Sequence, residues 1–268
     1  MKIKEQAPQF DLSRPAEITP EQQALFMGCV TEQLQEFDRT TLMDFYRRMW
    51  EAVSRYSRKP LVTGGNIYSS STVRTGIGRL ENPAAGEGIQ IYAPHGYDSV
   101  VDSDRYENFS KENVEQLFAD KRSSQEELEL PVVVGEWGAF PSKDFTNDLI
   151  RHMNGILERY LWSSAYWEYH PGMEDDENYS SLCRAYPAET AGELCSYHYD
   201  EDKKSLEMTF KAAGRSRVYC PFDPVCVTGL DGEGEYPIDY SVEKAGKTAN
   251  YVSFNLEQTG VTTIKING

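Results

Sequence analysis

Apolar residues recur at helical spacing from residue 42: Leu42, Phe45, Tyr46, Met49, Val53 and Tyr56. This spacing predicts an amphipathic helix. Pro60 then leads into Leu61-Val62-Thr63, a short apolar strand, and residues 64–88 are rich in Gly and Ser. Ile89-Gln90-Ile91-Tyr92-Ala93 predicts a second strand, ending at Pro94-His95-Gly96-Tyr97-Asp98. Ser110 is placed to cap a helix carrying Val114, Leu117 and Phe118. Pro131-Val132-Val133-Val134 is a β-branched run, suited to a parallel strand buried on both faces. It ends at Gly135-Glu136-Trp137-Gly138. Phe145, Leu149, Met153, Ile156, Leu157 and Tyr160 predict another helix, and Ser163-Ser164-Ala165-Tyr166-Trp167 a fourth strand.

Helix and strand thus alternate about four times between residues 40 and 170, which predicts βα units and a parallel sheet. Each unit takes about 32 residues, near one eighth of the ~250 residues of a (β/α)8 barrel, so four units make half a barrel. After about residue 178 the helical period gives way to short alternating runs. Residues 206–210, 217–220, 250–254 and 261–266 read as strands, and Asp231-Gly232 and Gly234 mark turns. The expected organisation is an irregular, proline-broken lead-in at 1–38 with at most a short helix at 21–27, a half (β/α)8 barrel (strands 5–8) at 39–177, and a C-terminal antiparallel β-sandwich at 178–268.

Composition narrows the partners. The 268 residues carry 43 Asp and Glu against 27 Lys and Arg, a net charge of −16. Nucleic acid is held through Lys and Arg on phosphates, and anionic membranes attract polybasic segments, so neither partner is expected. No window approaches the ~18 apolar residues of a membrane span, and no signal peptide is visible at the N-terminus. The five cysteines (Cys29, Cys183, Cys195, Cys220, Cys226) form no CxxC pair. They read as buried free thiols, with one disulfide such as Cys183 with Cys195 as the alternative.

The chemistry is expected where parallel strands end. Those ends carry His95, Tyr97, Glu136, Trp137, Trp167 and Tyr169. A Glu directly after an apolar strand is held rigidly at the rim, and suits a nucleophile. No Asp, His or Cys accompanies Glu136 at metal-ligand spacing, so no metal or other cofactor is expected. Aromatic rings beside a carboxylate suit a sugar, whose C–H groups pack on their faces. The bland readings are an Arg-paired structural Glu136, a structural His95 and a core Trp167.

Together, Tyr92-Ala-Pro-His95-Gly-Tyr97-Asp98, Val134-Gly-Glu136-Trp-Gly138 and Tyr166-Trp167-Glu-Tyr-His170 resemble glycoside hydrolase family 5, in its endoglycoceramidase and glycosylceramidase branch. Arg184-Ala-Tyr-Pro187, Ala191-Gly192 and Ser196-Tyr-His-Tyr-Asp200 are similar to the opening of that branch's β-sandwich. The resemblance implies a retaining β-glycosidase acting on glycosylceramide-type glycolipids, secreted or membrane-associated. Glu136 matches the nucleophile, His95 and Tyr97 the pair that orients it, and Trp167 the platform for the sugar. Trp137 and Tyr169 are further expected substrate contacts.

A retaining glycosidase also needs a second carboxyl as general acid/base. The family takes it from an Asn-Glu-Pro motif after the fourth strand, and this sequence contains no Asn-Glu dipeptide. Glu32 and Glu36 fall near the right place but in polar, helix-like surroundings. The expectation is therefore a fragment that pairs with a missing N-terminal half-barrel and is inactive alone. The other readings are a different β-glucoside, such as a cellulose-type glycan or steryl glucoside, a non-catalytic glycan- or glycolipid-binding protein, and a structural module without ligand.

Overall fold

The computed structural model describes residues 20–71, 73–81, 89–211, 213–231, 234–257 and 260–268, with backbone alone for 20–27, 29 and 231. Among the described residues, the protein is a mixed α/β chain of four sheets and few helices. It divides into two compact units, Met1–Phe140 with Ser163–Tyr169, and Pro141–Trp162 with His170–Gly268.

The expected lead-in needs correction. Residues 1–19 lie outside the described residues, but Pro20–Phe37 is an 18-residue helix, α1. Periodicity missed it because its apolar stripe is thin. Good helix formers such as Gln, Ala, Leu, Met and Glu carry it instead, with proline at the tolerated first position. A π-helical turn, Asp38–Leu42, joins α1 to α2 (Met43–Val53).

In the first unit, β1 (Leu61–Thr63) pairs parallel with β2 (Gln90–Tyr92). Strands β3 (His95–Gly96), β4 (Val133–Gly138) and β5 (Ser163–Trp167) form a second parallel sheet. The isolated parallel bridge of Tyr92 with Val132 joins the two. Hydrogen bonds Tyr92 N–H to Pro131 O and Gly135 N–H to Pro94 O, each 2.9 Å, continue the pairing.

Helix α3 (Lys111–Leu128) connects β3 to β4, as parallel pairing requires. Ser110 caps it by accepting from Asn113 N–H at 3.2 Å. Buried Asp98 accepts from Ser110 N–H at 3.2 Å and so anchors the entry. Phe118, fully buried, lies over Gly96, where a Cβ would fall 2.4 Å from its ring.

In the second unit, helix α4 (Thr146–Tyr160) is tied to the segments after residue 177. Asn154 Nδ2 donates to Ser181 O at 3.0 Å, Arg151 Nε pairs with Glu201 at 2.9 Å, and Glu158 pairs with Arg184 and His198. Two antiparallel sheets follow. One has the order β11 (Gly234–Pro237), β10 (Cys226–Asp231), β14 (Val261–Asn267), β8 (Ser205–Lys211), β7 (Glu193–Asp200). The other runs β12 (Tyr240–Lys244), β13 (Asn250–Leu256), β9 (Gly214–Cys220), β6 (Tyr186–Glu189).

Alternate residues of both sheets enter one apolar core, including Leu206, Met208, Phe210, Val218, Val252, Phe254, Ile264 and Ile266. Cys183, Cys195, Cys220 and Cys226 are free thiols, which excludes a Cys183–Cys195 disulfide. Of these four, Cys220 alone is buried, Cys183 and Cys226 are half-buried and Cys195 is exposed, so the expectation of buried thiols holds in full for Cys220 and fails for Cys195; the side chain of Cys29 lies outside the described residues.

Candidate active site

Glu136 sits in β4 at an irregularity of the sheet. Val133 and Val134 pair with Ser163 and Ser164, and pairing resumes with Trp137 opposite Tyr166. Three steps along β4 thus match two along β5, a bulge centred on Gly135 and Glu136. Bulges re-aim side chains and gather beside functional sites. On the other side, His95 of β3 stands in register with Glu136.

The lack of a side chain at Gly135 brings the imidazole close. A Cβ there would lie 3.0 Å from the His95 ring. His95 Nδ1 stands 3.2 Å from Glu136 Oε2, and the Tyr97 hydroxyl donates to the same oxygen at 3.0 Å. Both contacts fall on Oε2, so they fix the plane of the carboxyl. Burial, and then the Glu136 carboxylate it bonds, push the Tyr97 hydroxyl well above the usual tyrosine range. The Tyr97 hydroxyl therefore keeps its proton and donates a hydrogen bond to the carboxylate. Among the described residues, Glu136 meets a phenol and an imidazole, not the guanidinium of a structural ion pair.

These three side chains open into a cavity of about 680 Å³. That volume is within the range of small-molecule sites. Trp167, about half exposed, lines it, and the Trp167–Glu168 peptide bond is cis. Of the six residues singled out by sequence, His95, Tyr97, Glu136 and Trp167 share this cavity, whereas Trp137 and Tyr169 are not among its walls. Trp137 is buried and meets Tyr166 edge-on at 5.2 Å, and Tyr169 is 79% exposed.

Sequence reasoning missed one whole wall. Gly64, Gly65, Asn66, Ile67, Ser69 and Ser70 line the cavity, from the segment directly after β1. The rule that sites gather at strand ends applied there too, and the Gly and Ser richness was its signal. Ala93, Val101, Asp102 and Ala139 complete the lining, the last two at positive φ. Among the described residues, no group of three or more His, Cys, Asp or Glu is arranged to hold a metal, and no helix is long and apolar enough to cross a membrane.

No family profile and no curated protein matches the sequence. Solved structures match the fold. The lactosyl-enzyme intermediate of endo-glycoceramidase II from Rhodococcus sp. superposes with a TM-score of 0.65 at 17% identity, over 87% of this chain and 55% of that one. The ganglioside GM3 complex of endo-glycoceramidase II from Rhodococcus sp. gives 0.64 at 15% identity, over 95% and 65%. An endogalactoceramidase gives 0.60 at 14% identity, over 90% and 54%. The chain therefore spans about 54–65% of the length of these structures.

Proposed function

We propose that this chain is the C-terminal part of a retaining β-glycosidase acting on glycosylceramide-type glycolipids, with Glu136 as its nucleophile. In this reading, α1 precedes residues 39–177, which form strands 5–8 of a (β/α)8 barrel, and 178–268 form a β-sandwich. The observation that carries it is one carboxylate oxygen held by Tyr97 and His95, at the wall of a cavity that an exposed tryptophan also lines.

Glu136 attacks the anomeric carbon and displaces the aglycone oxygen, which takes a proton from a general acid. Water, deprotonated by the same group, then cleaves the glycosyl ester and restores the carboxylate. Tyr97 and His95 keep Glu136 aimed during both steps, and Trp167 offers its face to the sugar. Trp137 and Tyr169 are not given substrate contacts, because neither lines the cavity. The acid/base carboxyl comes from an upstream half-barrel, since Glu32 and Glu36 lie on α1 in polar surroundings. The 268-residue chain alone is therefore inactive.

The test is a mechanism-based 2-deoxy-2-fluoroglycoside applied to this chain joined to its upstream half. Peptide mass spectrometry should find the sugar on Glu136, and Glu136→Gln should abolish labelling. Sugar on any other residue sinks the assignment. Comparing glucosylceramide with a cellobioside then settles the aglycone class. The second reading, a glycan-binding protein without turnover, rests on the missing Asn-Glu dipeptide. It gains if no upstream half exists and the chain binds glycolipid without cleaving it.

A further inference from the structure

Asp38 lies in the π-helical turn between α1 and α2 and is fully buried. Its carboxylate accepts four hydrogen bonds. Oδ1 takes Asn66 N–H at 3.0 Å, and Oδ2 takes Asn66 Nδ2 at 3.0 Å, Thr75 Oγ1 at 3.0 Å and Gly76 N–H at 2.9 Å. A buried carboxylate is costly unless its oxygens are satisfied, and bonds to a charged acceptor are stronger than neutral ones. The donors come from both ends of residues 66–76. One carboxylate thus closes this segment into a loop.

The loop has further anchors. Gln35 Nε2 donates to Arg74 O at 3.1 Å, and buried Lys121 donates from Nζ to Ser69 O at 2.8 Å. At Gly76 a Cβ would fall 2.4 Å from Gln35 O, so the loop packs against the end of α1 with no space to spare.

From Asp38 a continuous chain of bonds runs into the cavity. Asn66, held by Asp38, accepts at Oδ1 from Tyr68 N–H at 3.0 Å and starts the 3-10 turn Ile67–Ser70. Ser70 O accepts Tyr97 N–H at 3.0 Å. Tyr97 Oη donates to Glu136 Oε2.

We propose that Asp38 is a positioning residue of the cavity: by closing the loop after β1 it fixes the Ile67–Ser70 turn, and through Ser70 the backbone of Tyr97, the hydrogen-bond donor to Glu136. The proposal rests on the reading of this cavity as the reactive site. Its test, however, reads backbone bonds and needs no turnover.

The experiment is amide hydrogen exchange by NMR on the 268-residue chain and its Asp38→Asn variant. Asparagine keeps the shape but removes the charge and replaces one acceptor oxygen with an amide NH2 that cannot accept from these donors. The amides of Asn66 and Gly76 should exchange about ten- to a hundredfold faster, the loss expected for bonds to a charged acceptor, and that of Tyr97, bonded to the Ser70 carbonyl, should lose protection with them. The Val225 amide, bonded to Asn267 O in the other unit, should stay protected. Faster exchange at Asn66 and Gly76 with Tyr97 still protected would overturn the proposal, leaving Asp38 a local staple.

Thr75→Val removes one donor and retains the charge. If Asp38→Asn fails to fold, Thr75→Val decides alone: Tyr97 should be less protected there too, and unchanged protection overturns the proposal. Labelling of Glu136 by the fluoroglycoside is read separately, so the two ideas fail independently.

Discussion

Lys121 tests how far the interior tolerates charge. It is 4% exposed, on the α3 stripe that also buries Val114, Phe118, Ser124 and Leu128. Desolvation drives its pKa from 10.5 down to about 7. In the unfolded chain a lysine keeps its proton to about pH 10.4. Between pH 7 and 10 the unfolded chain therefore binds more protons than the folded one, and stability rises with pH. Denaturant titrations should show about 2 kcal/mol more stability at pH 9 than at pH 7. Lys121→Met should flatten that rise; an equal rise in both proteins would show that Lys121 does not cause it.

Single residues were unequally legible in the sequence. His95, Tyr97, Glu136 and Trp167, singled out as strand-end residues, line one cavity. Trp137 was overcounted because neighbouring strand residues face opposite sides, and here Glu136 meets the cavity while Trp137 is buried. Asp38 and Lys121 left no mark, because nothing in a polar helical stretch says which charge folds inward.

At the scale of elements, glycines set how closely strand and helix approach. At Gly96 an added methyl must displace the buried Phe118 ring of α3, 2.4 Å away. Gly96→Ala should cost about 1–3 kcal/mol, the usual effect of overpacking a tight core. At Gly155, within α4, a Cβ meets nothing within 4 Å. There, Gly155→Ala should stabilise by up to about 1 kcal/mol through helix propensity. Melting curves of the pair should move in opposite directions; a shared direction would contradict the packing argument.

The elements themselves were largely readable. Strands β1, β2 and β5 and helix α4 follow their predicted positions within a few residues, while α3 starts after Ser110 as predicted and runs on to Leu128, well beyond Phe118. The bulge in β4 was not readable, because it depends on the register with a partner strand. Strands β6, β7, β10, β11 and β12 were missed as well. All five residues of β12 are exposed, so no buried face imposes alternation.

For the molecule as a whole, the charge of −16 and the exposed apolar surface pull in opposite directions. Among the described residues, β1 pairs on one side alone, with β2, and its Val62 is 55% exposed. Nearby in sequence, Phe45, Met49 and Val53 are also exposed, at the four-residue spacing that lines one face of α2. An open strand edge beside apolar surface is a template for association. Mutual repulsion between acidic chains opposes it at low salt. In ~1 M salt the screening length falls to about 3 Å, and that protection is lost. The 268-residue chain should therefore stay dispersed at low ionic strength and self-associate as salt rises, measured by light scattering. Val62→Lys places a charge on the open edge and should raise the salt needed for association. If Val62→Lys associates at the same salt as the parent, the β1 edge is not the contact. If instead an upstream half-barrel covers that edge, adding it should suppress association at every salt concentration, and the same preparation can be assayed for the hydrolysis that the 268 residues alone are expected to lack.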